Sequence, residues 1–127
     1  MHNTAYRRSV LGLTTGADVA DDLRAAAQLL RTLGSPIRLA ILRELIDCEL
    51  CVHEIVGSLA DNGAKVSQPL VSQHLRVLRQ RALVRTRRRG REVAYTLADE
   101  HIGHIIVDAI GHIGHSLDAP DAGAHTH

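Results

Sequence analysis

The sequence predicts a mainly α-helical protein with one small β-hairpin, arranged as a winged helix-turn-helix. Apolar residues recur at three- and four-residue steps in several stretches, which is typical of amphipathic helices, and a tight turn joins the third and fourth of them. Two short alternating stretches around Arg-Gly-Arg then predict a hairpin directly after the fourth helix.

Length and composition favour one domain with an aliphatic core. A chain of 127 residues has the size of one domain. It contains no Trp, no Phe and two Tyr, so the core is expected to be Leu, Ile, Val and Ala, and base stacking on aromatic side chains is excluded as a major binding mode. We expect a flexible arm over 1–16, the folded domain over 17–117 and a disordered, His-containing tail over 118–127.

Other features of the composition bear on location. The formal net charge of +1 does not single out a class of partner. The chain lacks a run of 18 apolar residues and a signal peptide with a clear apolar core, so we expect a soluble, cytoplasmic protein without a membrane partner. Cys48 and Cys51 lie too close in the chain for a disulfide between them to stabilise a domain. This favours free thiols or metal ligands in a reducing compartment.

The first two predicted helices have clear boundaries. The first covers 17–33 and ends at Gly34, with three aspartates near its start, where the helix dipole favours acidic groups. Ser35 is the expected N-cap of the second helix, and Pro36 occupies its first position. The second helix is expected to continue to about residue 47.

The remaining domain elements follow from spacing and turn chemistry. The third helix is predicted over 51–59, and Ser67 is the predicted cap of the fourth. The buried side of the fourth helix is given by Val71, Leu75 and Leu78. Strands are predicted over 83–88 and 92–97, with 89–91 as the turn.

The side of the fourth helix opposite its buried residues is suited to reading DNA. It carries amide, hydroxyl and guanidinium groups, on Gln68, Ser72, Gln73 and Arg76. Such groups match the donors and acceptors of base edges, and Arg also matches phosphate. Residues 76–91 contain eight arginines and no acidic residue. Those of the hairpin are predicted to contact phosphate and the minor groove: Arg85, Arg87, Arg88, Arg89 and Arg91. A solvated polar face is the alternative.

A long last helix is predicted to begin at Asp99. Its apolar stripe contains Ile102, Ile105, Ile106, Ile110 and Ile113. These are more apolar groups than one face of a terminal helix on so small a protein requires. We therefore predict a homodimer without metal, with the first and last helices at the interface.

Histidines on another side of this helix suggest a metal site. His101, His112 and His115 lie within roughly 40° of one another at 3.6 residues per turn. His101 and His112 are about 16 Å apart along the axis, too far to share one metal with bonds of ~2.0 Å. In an antiparallel pair of these helices, Asp99 and His101 of one chain would meet the two later histidines of the other. That gives one O and three N ligands, twice per dimer. Surface histidines without metal are the alternative.

Four segments, in this order, resemble the ArsR/SmtB family of metal-responsive repressors. They are L-G-S-P-I-R-L-A-I-L at 33–42, E-L-C-V-H-E-I at 49–55, V-S-Q-P-L-V-S-Q-H-L-R-V-L at 66–78 and G-R-E-V-A-Y-T-L at 90–97. The match closes with the acidic and histidine residues of the last helix and covers about residues 20–117. Members of this family are homodimeric repressors that bind operator DNA when metal-free and release it when metal binds.

The resemblance implies roles for particular residues. It implies that the inter-subunit metal site of the family is formed here by Asp99, His101, His112 and His115. It also implies that the DNA-reading positions of the fourth helix are Ser67, Gln68, Ser72 and Gln73. A zinc hydrolase would need an open coordination position and a general base in a cleft, and four protein ligands leave neither. We therefore predict no enzymatic activity.

The family's second possible metal site, on the third helix, departs from its pattern here. The soft-metal sensors carry Cys-Val-Cys where this chain has Cys51, Val52 and His53, which weakens the case for a site rich in thiolates. The candidates for a secondary metal site are Cys51, Glu54, Cys48 and His53. The alternative is that Cys51 packs as a small apolar residue.

Zinc is the predicted metal, because a closed site with three imidazoles and one carboxylate suits its tetrahedral preference. Nickel or cobalt would require six ligands, which His2 or the histidines of the tail would complete. The alternative functions are a nickel or cobalt sensor of the same fold, and a winged-helix DNA-binding regulator that is indifferent to metal.

Overall fold

The computed structural model describes residues 16–118 and the side chains of residues 18–114. This part of the chain contains five helices and a three-stranded antiparallel sheet, which confirms the predicted fold class. The elements are α1 (Gly16–Leu33), α2 (Pro36–Glu44), β1 (Leu50–Cys51), α3 (Val52–Asp61), α4 (Gln68–Gln80), β2 (Val84–Arg89), β3 (Glu92–Leu97) and α5 (Glu100–Asp118). None of the helices in the described range is long and apolar enough to cross a membrane. The predicted arm and tail lie outside the described residues, except for Gly16 and Asp118, which are helical.

Helix α1 belongs to the first of two compact units, and the second unit begins at Ser35. It begins one residue before the predicted first helix and ends at the predicted residue. Asp18 lies in its first turn and Arg31 in its last, so the charges oppose the partial charges of the helix ends. Leu23 and Leu30 are both more than half exposed in the single chain.

Serine caps begin α2 and α4, as the sequence predicts. The Ser35 hydroxyl accepts a hydrogen bond from the Arg38 N–H at 3.3 Å, and the Ser67 hydroxyl accepts one from the Leu70 N–H at 3.2 Å. Each helix also has a proline in its first turn, where a backbone N–H has no partner within the helix. Local sequence therefore determines where both helices start.

The sheet contains a strand that the sequence pattern does not predict. Strand β1 pairs antiparallel with β3 in the order β1-β3-β2, with Leu50 opposite Tyr95. Two residues are too few to show the alternation that identifies a strand. Because Cys51 belongs to β1, helix α3 begins one residue later than predicted. Helix α2 ends at Glu44 instead of near residue 47, and a turn leads from it towards β1.

The predicted hairpin is present, with β2 shifted by one residue to Val84–Arg89. Its last pair is Arg89 opposite Glu92, so Gly90 and Arg91 form a two-residue turn. Gly90 has a φ of +66°. Two-residue hairpin turns need such left-handed residues, and glycine adopts them without strain.

The core is aliphatic and lies among α2, α3, α4 and the first half of α5. Helix α4 contributes the three residues predicted from its spacing, all fully buried: Val71, Leu75 and Leu78. The facing helices contribute Ile41, Leu42, Ile55 and Leu59, which are also buried. Each such side chain contributes roughly 1.5–3 kcal/mol by leaving water. Burial of one side of α4 directs its polar side outward.

Helix α5 divides into a packed half and an exposed half. The Asp99 carboxylate caps its start by accepting the Ile102 N–H at 3.3 Å. Ile102 and Ile106 are buried, and Gly103 between them allows close packing, since a Cβ there would lie 3.3 Å from the Leu97 side chain. The second half carries apolar side chains that are 53%, 47% and 57% exposed: Val107, Ile110 and Ile113. A single chain thus covers only part of the predicted apolar stripe.

Helices α3 and α4 end in the same motif with different residues at its left-handed position. That residue is Gly63 after α3, with φ +91°, and Ala82 after α4, with φ +61°. The Ala82 N–H bonds to the Arg79 carbonyl, and the next N–H, of Leu83, bonds to the Leu78 carbonyl. The equivalent two bonds close α3. Both ends are Schellman motifs, in which glycine is the favoured left-handed residue.

We expect Ala82→Gly to raise the free energy of unfolding by about 1 kcal/mol. A left-handed conformation costs a residue with a Cβ roughly 1–2 kcal/mol, part of which is offset because glycine has more freedom in the unfolded chain. Ala82 is exposed, so its methyl group contributes no burial. Urea denaturation followed by circular dichroism measures the change.

Gly63→Ala is the matched control and should lower the free energy of unfolding by a similar amount. Among the described residues, apart from Gly63 itself and its two chain neighbours, no atom lies within 4 Å of the Cβ that it would add, so the loss would report backbone strain. Changes of the same sign in the two variants would contradict this explanation.

Candidate nucleic-acid interface and candidate metal ligands

The polar face of α4 points away from the core. Gln68, Gln73 and Arg76 are exposed, and Ser72 is half-buried. Ser67 is exposed at the start of the helix, where its hydroxyl accepts the capping bond and can still donate its own proton. The predicted reading residues therefore form one outward surface of amides, hydroxyls and a guanidinium, which are the groups that recognise base edges.

The predicted arginines of the hairpin fall into two groups. Arg87 and Arg89 form ion pairs with carboxylates of the same chain. Among the described residues, no ion pair involves Arg85, Arg88 or Arg91, all of which are exposed. Side chains alternate along a strand, so Arg88 lies on the opposite face of β2 from its two paired neighbours. Within the part of the chain that the structure describes, the hairpin thus has arginines with a carboxylate partner and arginines without one.

Glu49, just before β1, binds Arg87 with both carboxylate oxygens. The Arg87 Nε donates to one oxygen at 2.6 Å, and Nη2 donates to the other. This two-pronged geometry is the stronger form of an arginine–carboxylate pair. The hydrogen bond from Arg87 is the main reason why the pKa of the Glu49 carboxyl lies below its ordinary value.

Arg89 contacts several groups at the start of α3. Its Nη2 donates to the Glu54 carboxylate at 2.6 Å and lies 3.0 Å from the Cys51 Sγ, and Nη1 donates to the Glu49 carbonyl at 3.4 Å. The same Glu54 oxygen accepts the Cys51 N–H at 2.8 Å. That backbone bond, followed by the bond from Arg89, lowers the pKa of the Glu54 carboxyl. The carboxylate is therefore fixed from two sides.

The residues predicted for a secondary metal site surround this guanidinium. Burial, and next the Glu92 carboxylate, raises the pKa of the Cys51 thiol, whereas a metal ligand must be a thiolate. Cys48 is exposed, and His53 pairs with Glu92 at 3.3 Å. No group of three potential ligands able to hold a metal exists within residues 18–114. The secondary site stays a prediction that these contacts do not favour.

Asp99 and His101 lie side by side at the exposed start of α5. The His101 Nδ1 is 3.6 Å from an Asp99 carboxylate oxygen, and the two side chains are 84% and 55% exposed. His112 is exposed on the second half of the same helix, and His115 belongs to α5 with its side chain outside the described part. A carboxylate and imidazoles are the donors that zinc, nickel and cobalt accept. One chain thus offers one oxygen and one nitrogen donor at the start of α5.

Two contacts of the interface are not evident from the sequence. The His74 Nδ1, next to Gln73 on α4, accepts a hydrogen bond from the Arg38 Nε at 3.2 Å. Burial of His74, and then the charge of Arg38, lowers the pKa of this histidine. The partners are 36 residues apart here and 38 in the pair of Glu49 with Arg87, so no local spacing reveals them. The cluster of arginines from residue 76 onward indicates that some of them bind acidic groups, but it does not indicate which ones.

Comparison with known proteins places these features in a family. A model described as "Bacterial regulatory protein, arsR family" matches residues 35–86, which include α2, α3 and α4. The HTH-type transcriptional repressor SmtB of Mycobacterium tuberculosis is 49% identical over 92 residues, which are 72% of this chain and 64% of that protein. The transcriptional repressor SmtB homolog of Synechocystis is 35% identical over 96 residues, 76% of this chain and 69% of that protein.

A solved structure supports the fold independently. A homodimeric winged helix-turn-helix DNA-binding domain from Mycobacterium bovis has a TM-score of 0.70 at 23% identity, over 90% of this chain and 97% of that chain. At this identity the likeness shows the fold alone, and it confirms the predicted winged helix-turn-helix. The chain spans just under two thirds of the length of the M. tuberculosis SmtB.

The lowered pKa of His74 makes stability depend on pH. Below about pH 6.5, the ordinary pKa of histidine, the unfolded chain binds a proton at this residue that the folded chain resists. The free energy of unfolding therefore falls as the pH decreases through this value. His74→Asn keeps an acceptor for Arg38 but does not titrate. We expect urea denaturation between about pH 5 and 8 to show a smaller loss of stability on acidification in this variant than in the unaltered protein. The same pH dependence in both would contradict the assignment.

Proposed function

The chain belongs to the arsR family of bacterial regulatory proteins, and we propose that it is a metal-sensing transcriptional repressor. Family membership makes it a DNA-binding transcriptional regulator, not an enzyme. In this proposal its homodimer binds operator DNA without metal and releases it when zinc binds between the last helices. The observation that carries the proposal is the layout of α5, with candidate ligands at both ends and exposed apolar side chains between them.

The outward face of α4 supports operator binding. Its amide, hydroxyl and guanidinium groups are exposed while its apolar side is fully buried, so the helix can enter a major groove without unfolding the core. The hairpin after it brings exposed arginines to the phosphates beside that groove. A symmetric dimer reads two half-sites when its two α4 helices stand about one duplex turn, roughly 34 Å, apart.

Exposed apolar side chains support the homodimer. Val107, Ile110 and Ile113 of α5 are each about half exposed in the single chain, which is unfavourable for three large side chains on one helix. Helix α1 also has exposed leucines, Leu23 and Leu30. A second copy of the chain covers such surfaces in a closed two-fold dimer, where the same patch serves both subunits.

The candidate ligands support a site shared between subunits. The Asp99 and His101 donors at the start of α5 fit a first-row divalent metal, and both side chains are exposed to receive it. His112 lies three turns further along, about 16 Å away at 1.5 Å per residue, so one chain cannot complete the site. We propose that His112 and His115 of the partner complete it, and that two such sites form per dimer.

The packing of α5 explains how these sites would act on DNA. Its first half is buried against β3 and the end of α2, so the direction of α5 fixes the orientation of the domain that carries α4. Bound zinc would supply bonds between two α5 helices and so set their relative position. If that relative position of the α5 helices fits the duplex less well, zinc lowers DNA affinity by a coupling free energy of about 1–3 kcal/mol. By the same coupling, bound DNA lowers zinc affinity equally.

Two alternative functions would use the same residues differently. A nickel or cobalt sensor would use these ligands with additional histidines, because those metals favour six-coordinate sites. A metal-indifferent regulator would keep the DNA-binding surface, with His101 and His112 as exposed residues only. The coordination number of bound zinc, cobalt and nickel, measured by absorption spectroscopy, separates the zinc sensor from the first alternative.

We expect zinc to lower the affinity of the dimer for its DNA by about 5- to 150-fold. The DNA is a duplex that the protein itself enriches from a random pool, and fluorescence anisotropy at fixed salt gives the affinity with and without zinc. Equal affinities under both conditions would contradict the sensor and favour the metal-indifferent regulator.

Two variants separate sensing from DNA reading in this measurement. His112→Ala should keep the affinity of the metal-free dimer and lose the zinc response. Gln73→Ala should weaken binding to the enriched duplex by about 1–3 kcal/mol and keep the zinc response. Loss of both properties in both variants would mean that the two surfaces do not have separate roles.

A further inference from the structure

Two carboxylates beside β1 hold two arginines of the wing, the hairpin formed by β2 and β3. Glu49 binds Arg87, and Glu54, in the first turn of α3, binds Arg89. The strand register places these contacts across the sheet, since Arg87 lies opposite Ala94 and Ala94 in turn pairs with β1. The two guanidinium groups therefore span β3: Arg87 connects the outer strand of the wing to the residue before β1, and Arg89 connects it to the first turn of α3.

The carboxylate at the start of α3 is itself fixed. The Glu54 oxygen that binds Arg89 at 2.6 Å also accepts the Cys51 N–H at 2.8 Å. Glu54 therefore cannot follow a moving wing without losing a bond at the helix start. Helix α3 packs against α4, so the ion pairs help to define where the wing lies relative to the reading face.

These ion pairs also divide the charges of the wing. The positive charges of Arg87 and Arg89 are balanced locally by Glu49 and Glu54, so they add little to the potential that attracts a phosphate. Within the described residues, Arg85, Arg88 and Arg91 have no carboxylate partner, and all three are exposed. Sequence alone predicts DNA contacts for all five arginines of the hairpin without distinction.

We infer that Glu49 and Glu54 are positioning residues of the DNA-binding surface: they hold the wing through Arg87 and Arg89 and leave phosphate contacts to its other exposed arginines, Arg88 and Arg91 among them. The assignment of phosphate contacts rests on the proposed function, whereas the hold on the wing is a property of the free protein. Separate measurements therefore test the two parts.

Hydrogen exchange in the DNA-free protein tests the hold on the wing. In the double variant Glu49→Gln/Glu54→Gln, the protected amides of β2 and β3 should exchange about fivefold faster, as expected for the loss of two partly exposed ion pairs. The control Asp47→Asn/Asp61→Asn removes the same number of negative charges, from exposed aspartates. It should leave the exchange of the β2 and β3 amides unchanged. Equal exchange in the two double variants would overturn the inference.

The salt dependence of binding to a short duplex of mixed sequence tests the division of arginines. For Arg88→Gln/Arg91→Gln, the slope of log K against log salt should become shallower by about 1.8, at ~0.9 per phosphate contact. For Arg87→Gln/Arg89→Gln, the slope should remain that of the unaltered protein, and wing amides should again exchange faster. Equal losses of slope with unaltered exchange would show that Arg87 and Arg89 also contact phosphate, and would overturn the inference.

Failure of the proposed function gives a different result from failure of this inference. No binding of any duplex by the unaltered protein would contradict the proposed function and the phosphate assignment together. If the unaltered protein binds duplex but the wing amides of Glu49→Gln/Glu54→Gln exchange at the unaltered rate, only the positioning role is contradicted.

Discussion

The packing of the first half of α5 is the constraint on which the proposed dimer and its metal sites depend. Ile102 and Ile106 are buried, and Gly103 allows the helix to approach Leu97 closely, so this half belongs to the core of its own chain. The direction of the helix is thereby fixed, and its second half extends with exposed apolar side chains. A partner helix is the natural cover for that surface, and it would bring His112 to the donors at the start of α5. The proposed dimer, the proposed metal site and the proposed link to α4 all rest on this one helix, which its own chain covers only in part.

Much of the fold could be predicted because its signals are local. Ser35 and Ser67 cap the helices they were expected to cap, and helical spacing identifies the buried side of α4. Strand β1 could not be predicted, because two residues show no period and its pairing with β3 is decided by tertiary structure. The left-handed Ala82 is also unexpected, since the residue type that favours this conformation is glycine.

The candidate site divides in the same way. The polar face of α4 and the spacing of the histidines on α5 are visible in the sequence because one helix carries each set. The pairing of Arg87 with Glu49, and of His74 with Arg38, joins residues more than 30 positions apart, so only the fold reveals it. These contacts change the interpretation of the arginine cluster. Its members are not equivalent, because some balance carboxylates of the same chain while others point to solvent.

Each proposed metal site needs both subunits, and zinc stoichiometry in mixed dimers tests this requirement most directly. His101→Ala and His112→Ala each remove one ligand from both sites of a homodimer, so neither parent should bind zinc tightly. A dimer with one chain of each kind has one intact Asp99–His101 end facing one intact His112–His115 end. We expect one tightly bound zinc per mixed dimer. No bound zinc in mixed dimers, with both parents folded and dimeric, would contradict it, because ligands contributed by a single chain give no such rescue.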